Sequence, residues 1–248
     1  MIAMTTAKYY VAATAIAPAA ALLVWPGSRL LIIGCLIWIG AAAAYWIRSE
    51  RMEHRARITA TITAMQSAGV RTLNHHRHDW MNDLQVLYGY IRLGKLDKTV
   101  GCVEKIRDRM NAESAISRLG VPSLISYIQS FRTLTNSLAL EVEIDNGINL
   151  QEMVQDAERV AETLIHTINV YRLSAKPGTG EQALLRLRLA TESGMLYASF
   201  YYDGELINER QWQHKMKEQL KGASLSPISE EQSYNEMVLK TELREIGA

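Results

Sequence analysis

The sequence predicts an α+β protein with a helical N-terminal part and a C-terminal part of mixed helices and strands. Two apolar runs occupy the first 47 residues, and a proline-free segment from Arg48 to Leu93 repeats apolar residues at helical spacing. After residue 120, several segments alternate apolar and charged residues, as strands do. The 248 residues suffice for an anchor and one or two domains, and we place the parts at 1–47, 48–119 and 120–248.

Composition argues against two classes of function. The formal net charge is +1, so no broad basic field favours nucleic-acid binding. The two cysteines, Cys35 and Cys102, form neither a disulfide framework nor a zinc-binding spacing. This usage fits a reducing compartment.

The two apolar runs predict a helical hairpin that crosses a membrane twice. They cover residues 9–25 and 30–47, and each is close to the roughly 17-residue lower limit for a bilayer span. A short Pro26-Gly27 turn separates them, and arginines at 48, 51, 55 and 57 follow, so both ends are expected in the cytoplasm. A cleaved signal peptide is the competing interpretation of the first run.

The segment from Arg48 predicts one long helix that ends near Leu93, followed by a second, antiparallel helix to about Ser117. Gly94 is the expected terminator of the first helix. Two helices alone cannot cover the apolar stripe of the first one, so we expect two copies to form a homodimeric four-helix bundle. The stripe near the turn contains Leu73, Trp80, Leu84, Leu87 and Ile91.

Gly120-Val121-Pro122 marks the start of the C-terminal domain. The pattern beyond it predicts an α/β sandwich. Its expected elements are a helix over 123–136, a strand over 140–145, a helix over 150–173, a hairpin of strands 185–189 and 196–202, a helix over 209–220 and a last strand over 237–243.

His78 is the candidate reactive residue. On a helical wheel His78 and Asn82 lie nearly opposite the apolar stripe, so the imidazole is expected to face water. A neutral imidazole has a free nitrogen lone pair near pH 7 and can attack phosphorus. By periodicity alone, an ordinary solvated histidine is the commoner explanation.

Two neighbours are candidate supporting residues. Asn82 lies one turn after His78, where its amide could contact a phosphoryl group or a partner, or simply be solvated. Asp79 could orient an imidazole or could equally pair with a neighbouring arginine. His75 and His78 could share a metal ion at i, i+3 spacing, but no acid or cysteine completes a site, so we predict no metal site.

The run His-Asp-Trp-Met-Asn at 78–82, followed by Leu84-Gln85 and the segment 89–97, resembles the phosphoacceptor hairpin of the sporulation initiation phosphotransferase B family. Sensor histidine kinases of the citrate/fumarate-sensing type share the segment more loosely. The resemblance implies that His78 is phosphorylated, while His75 and His76 match no catalytic position. It also implies a C-terminal domain with a degenerate histidine-kinase-ATPase-like fold.

A kinase-type ATP site needs groups that this sequence lacks. His166 and Val170 align with two asparagines that bind magnesium in kinases, and valine cannot be a ligand. Asp203-Gly204 is the nearest match to an adenine-binding motif, but a simple turn explains it better, and no Gly-x-Gly lid follows. We therefore expect no cofactor bound by this chain, with Mg²⁺ supplied by a partner.

The resemblance implies a phosphotransferase of a phosphorelay in the initiation of sporulation, and the two apolar runs add the membrane anchor. Its expected partners are the receiver domains of response regulators, a second copy of the chain, and the bilayer through residues 9–47. The expected location is the cell membrane, multi-pass, with the catalytic domain in the cytoplasm. Two alternatives remain open: a divergent sensor histidine kinase, and a non-catalytic membrane scaffold for response regulators.

Overall fold

The computed structural model describes residues 14, 29–177, 182–229 and 233–244. The chain divides into two compact units, Met1–Ala68 and Gly69–Ala248. A helical region is followed by a C-terminal domain with a sheet, which confirms the predicted order of the two kinds of structure.

The described residues form six α-helices, one 3₁₀ helix and five strands. The helices are α1 Arg29–Arg92, α2 Leu96–Ser117, α3 Pro122–Ser130, α4 Leu150–Met153, α5 Ala157–Ser174 and α6 Glu209–Leu220, with the 3₁₀ helix η1 at Phe131–Thr133. The strands are β1 Leu138–Ile144, β2 Ala183–Glu192, β3 Met195–Asp203, β4 Ser226–Pro227 and β5 Glu236–Glu242.

The N-terminal part of α1 bears on the predicted membrane anchor. Among the described residues, one helix is long and apolar enough to cross a membrane, as judged by length and composition alone. A core helix or a signal sequence meets the same criterion, so this is weak support for membrane association. Apart from residue 14, the first predicted span, at 9–25, lies outside the described residues, and the described residues do not support a second crossing.

The turn between α1 and α2 is closed by a Schellman motif. The Lys95 N–H donates to the Tyr90 carbonyl and the Gly94 N–H to the Ile91 carbonyl, both at 3.0 Å. Gly94 has φ of +67°, a conformation that glycine adopts without a Cβ penalty. The predicted end of the first helix is therefore confirmed.

Polar contacts join the two arms of the hairpin within the second unit. Arg109 of α2 donates to Asp83 of α1 at 2.6 Å, and His76 lies 3.9 Å from Glu113. The apolar stripe remains uncovered in the single chain. Its most exposed members are Leu73 at 70%, Trp80 at 55%, Leu84 at 58% and Ile91 at 57%.

The C-terminal domain is built on a sheet with strand order β1-β2-β3-β5-β4. Strand β1 pairs with β2 in parallel, and the other pairs are antiparallel. Leu185, Leu187 and Leu189 of β2 are buried in one core with residues of α3, α5 and α6. The tight turn between β2 and β3 has positive φ at Ser193 and Gly194, as two-residue hairpin turns do.

Two predicted helices of the C-terminal domain differ from the structure, and one short strand was not predicted. The helix predicted over 150–173 is broken into α4 and α5, because Asp156 caps the second helix by accepting from the Arg159 N–H at 3.1 Å. The helix predicted over 123–136 ends at Ser130 and continues as η1. Strand β4 was not predicted, since two residues show no periodicity.

Gly120 is required at the junction between α2 and the C-terminal domain. It has φ of +79°, and a Cβ there would collide with the side-chain oxygen of Asn149. That oxygen caps α4 by accepting from the Gln151 N–H at 3.1 Å. Gly147 also has positive φ, at +84°, but its surroundings are open.

The first prediction compares these two glycines. Gly147→Ala should destabilise the domain by about 1–2 kcal/mol through backbone strain, and Gly120→Ala by about 1–3 kcal/mol more because the Asn149 cap must shift. Urea unfolding of both variants measures the difference. Equal losses of unfolding free energy in the two variants would show that the junction at Gly120 accommodates a side chain.

Candidate functional site

His78 lies on an exposed part of α1 within the second unit. Its Nδ1 is 3.3 Å from Nδ2 of Asn82, one helical turn later. The structure thus brings together two of the three site residues named from the sequence. Since Nδ1 is engaged, Nε2 is the ring nitrogen that is open to a partner.

The tautomer of His78 decides which nitrogen can act as a nucleophile. If the Asn82 amide donates to Nδ1, the proton of a neutral imidazole sits on Nε2, and that nitrogen has no free lone pair. If the amide is turned by 180°, its oxygen accepts from Nδ1–H and leaves the Nε2 lone pair free. Asn82 can therefore select the reactive tautomer.

Asp79 is paired with an arginine. Its Oδ2 accepts from Nη1 of Arg132 at 2.8 Å and lies 4.0 Å from Nε2 of His75. Among the described residues, no hydrogen bond joins Asp79 to His78. The sequence suggested an ion pair of Asp79 with a neighbouring arginine, whereas its partner in the structure, Arg132, is distant in the chain.

Arg132 is the residue near the site that sequence reasoning missed. It lies in η1, 53 positions after Asp79, and no local pattern links the two. Its side chain is 66% exposed, so most of the guanidinium remains in contact with solvent. The contact joins the start of the C-terminal domain to the helix that carries His78.

The other two histidines occupy different surroundings. His76 is 28% exposed and faces Glu113 of α2, whereas His75 is 44% exposed and lies beside Asp79. No group of three or more histidine, cysteine or acidic side chains in the described part of the chain could hold a metal ion.

A cavity of about 490 Å³ lies between α5 and α6 in the C-terminal domain. His166 and Val170, the two positions aligned with magnesium-binding asparagines, both line it. Val170 is 6% exposed and packs into the core. Lys215 and Glu218 line the opposite side, on α6.

Asn169 also lines this cavity, one position from the aligned residue Val170. Its side-chain oxygen accepts from the Tyr127 hydroxyl and from Nε of Arg172, both at 3.0 Å. Burial raises the pKa of Tyr127 to about 12, against the opposing effect of Arg172, so the hydroxyl keeps its proton near neutral pH. Both lone pairs of the amide oxygen are therefore engaged and are not free for a metal ion.

Packing explains Gly204 without a ligand. A Cβ at this position would lie 2.6 Å from the Cβ of Ala183 and 2.9 Å from the hydroxyl of Tyr202. Asp203 is the exposed last residue of β3. These contacts favour the interpretation of Asp203-Gly204 as a turn after a strand.

Comparison with known proteins identifies the helical hairpin. Residues 65–119 match the family described as Sensor_kinase_SpoOB-type, alpha-helical domain. Sporulation initiation phosphotransferase B of Bacillus subtilis (strain 168) is 31% identical over 105 residues. These matches support a relationship to the sensor-kinase/SpoOB family. The second one covers 42% of this chain and 55% of that relative, so the chain spans about half the length of the relative.

Several solved histidine kinases show partial structural likeness. Acinetobacter baumannii AdeS has a TM-score of 0.33 at 10% identity, covering 68% of this chain and 98% of AdeS. The catalytic domain of the histidine kinase ThkA has a TM-score of 0.31 at 15% identity, covering 51% of this chain and 87% of the ThkA chain. A histidine kinase from Burkholderia phymatum STM815 has a TM-score of 0.29 at 15% identity, covering 60% of this chain and 82% of that kinase chain.

The second prediction concerns the cavity between α5 and α6. Because Val170 is apolar and the oxygen of Asn169 is engaged, Mg-ATP should not bind at physiological concentration. Titration calorimetry should detect no heat of binding. A dissociation constant below about 1 mM, which is on the order of −4 kcal/mol, would restore the sensor-kinase alternative.

Proposed function

We propose that this protein is a phosphorelay phosphotransferase that carries a phosphoryl group on His78 between receiver aspartates of two response regulators, in the initiation of sporulation. The observation that carries the proposal is an exposed histidine, held by Asn82, on a hairpin of the SpoOB type. The name of the relative from Bacillus subtilis supports the phosphotransfer chemistry.

The chemistry needs only the imidazole from this chain. The Nε2 lone pair of His78 attacks phosphorus of the aspartyl phosphate, the N–P bond forms, and the P–O bond breaks to release the receiver's carboxylate. The Nδ1 proton stays on the ring and is donated in a hydrogen bond to the Asn82 oxygen, which requires the amide to be turned by 180°. The reverse step phosphorylates the second receiver. Mg²⁺ for both steps comes from the receivers' acidic pockets.

Two observations weigh on the alternatives. The engaged oxygen of Asn169 and the buried Val170 speak against a sensor kinase that phosphorylates itself with ATP. A scaffold that only holds response regulators would not need the imidazole of His78. Substitution of His78 therefore separates a phosphotransferase from a scaffold.

The third prediction tests the phosphoacceptor. The full chain is mixed with a panel of receiver domains labelled at their aspartates, and transfer is compared for His75→Gln, His76→Gln and His78→Gln. Only His78→Gln should abolish transfer, because His76 faces α2 and His75 lies beside Asp79. Asn82→Ala should slow it about two- to tenfold, the effect of one hydrogen bond of roughly 0.5–1.5 kcal/mol.

Circular dichroism of each variant controls for folding in this experiment. Transfer that persists in His78→Gln would contradict the proposal. A loss confined to His75→Gln would instead place the phosphoryl group one turn earlier on α1.

We further propose that two copies of the chain pair through the uncovered stripe of α1. Leu73, Trp80, Leu84 and Ile91 are more than half exposed in the single chain, and Val103 and Met110 of α2 are also exposed. Burying such side chains removes apolar surface from water and favours a four-helix bundle. His78 then remains on the outside.

The fourth prediction tests this pairing. Burial of one leucine is worth roughly 1.5–3 kcal/mol, and a symmetric dimer contains each position twice, so Leu84→Glu should dissociate it. Gln85→Glu adds the same charge at the next position, outside the apolar stripe, and should leave the dimer intact. Sedimentation equilibrium distinguishes the two. A stable, helical monomer of the unaltered chain would rule the bundle out.

The membrane anchor is also a proposal. We place residues 9–25 and 30–47 in the bilayer with both ends in the cytoplasm, on the strength of the arginines that follow Ile47. As the fifth prediction, a cysteine at Ala60 should react with an impermeant reagent only after the cells are permeabilised. Labelling of intact cells would place this segment outside.

A further inference from the structure

The ion pair between Asp79 and Arg132 lies directly beside the proposed phosphoacceptor. Asp79 follows His78 in α1, displaced by about 100° around and 1.5 Å along the helix. His75 lies 4.0 Å from Asp79, and Asn82 is bonded to His78. The carboxylate of the ion pair and the pair His78–Asn82 therefore lie on the same two turns of α1.

A carboxylate in this position opposes the proposed chemistry if it is unpaired. A phosphoryl group carries nearly two negative charges near neutral pH. Both the incoming donor and the phosphorylated histidine would be repelled by a full negative charge on Asp79. Arg132 cancels that charge through a hydrogen bond of 2.8 Å from Nη1 to Oδ2.

We infer that Arg132 is a positioning residue for phosphoryl transfer at His78, acting by neutralising Asp79. This role rests on the proposed function. The guanidinium has five N–H donors and donates one of them to Asp79 in a hydrogen bond. Because Arg132 belongs to η1, the C-terminal domain supplies a charge that the hairpin lacks at this point.

A structural role for the pair is the competing explanation. The arginine is 66% exposed, and exposed ion pairs contribute little to folding stability. Arg132→Gln should therefore leave the domain folded, which thermal unfolding can verify. An effect on the phosphorylation rate in a folded variant then reflects the charge next to His78.

The test uses phosphoramidate, a small anionic phosphoryl donor, with the full chain in detergent micelles and phosphohistidine measured by mass spectrometry. Arg132→Gln should slow labelling of His78 about two- to fivefold, the effect in water of one unit charge at roughly 4 to 8 Å. Arg132→Lys should retain most of the rate. The double variant Asp79→Asn with Arg132→Gln should return to the rate of the unaltered chain, since neither charge remains.

Arg186→Gln is the matched control, because Arg186 is also exposed and pairs with Glu141 on the sheet at 3.3 Å. Its labelling rate should not change. The defect of Arg132→Gln should also shrink in high salt, since the Debye length falls from about 30 Å at 0.01 M to about 3 Å at 1 M. A merely structural contact would show neither the rescue by Asp79→Asn nor this salt dependence.

Two results would overturn the inference. Labelling of Arg132→Gln at the unaltered rate would show that the charge of Asp79 does not matter. A double variant as slow as Arg132→Gln alone would show that Arg132 does not act through Asp79. Absence of any label on His78 in the folded, unaltered chain would instead contradict the proposed function.

Discussion

The rotation of about 100° per residue along α1 assigns every side chain near His78 to one of three surfaces. His76 and Asp83 meet α2 through Glu113 and Arg109. Leu73 and Leu84 face outward as an apolar stripe. His78 and Asn82 form the reactive surface. A helix with only two surfaces could not pack against α2, pair with a second copy and present a nucleophile at the same time.

This constraint explains how much of the hairpin could be predicted from the sequence. Helical periodicity is a local property, so it correctly predicted the end of α1 at Gly94, the span of α2 and the proximity of Asn82 to His78. It did not predict Arg132, because the contact with Asp79 joins residues 53 positions apart. A helical wheel assigns a residue to one face of its own helix, but it contains no information about which residues of another domain contact that face.

In the C-terminal domain, too, local patterns predicted the elements, whereas contacts between distant residues were not predicted. Alternation predicted the strands of the sheet, and the limits of α6 agree with the helix expected over 209–220. The break between α4 and α5 was missed because the cap at Asp156 interrupts a segment whose apolar pattern continues across it. The alignment placed His166 and Val170 at the cavity, but the role of Asn169 depends on Tyr127 and Arg172, which only the folded chain brings to it.

If one imidazole nitrogen carries the phosphoryl group, its position can be read directly from the phosphorylated protein. The full chain is labelled from a phosphorylated receiver and digested under basic conditions, and the label is located by tandem mass spectrometry and ³¹P NMR. We expect a single acid-labile, base-stable phosphoryl group on Nε2 of His78, since Nδ1 is engaged by Asn82. A label on His75 or His76, or a base-labile aspartyl phosphate on Asp79, would contradict it.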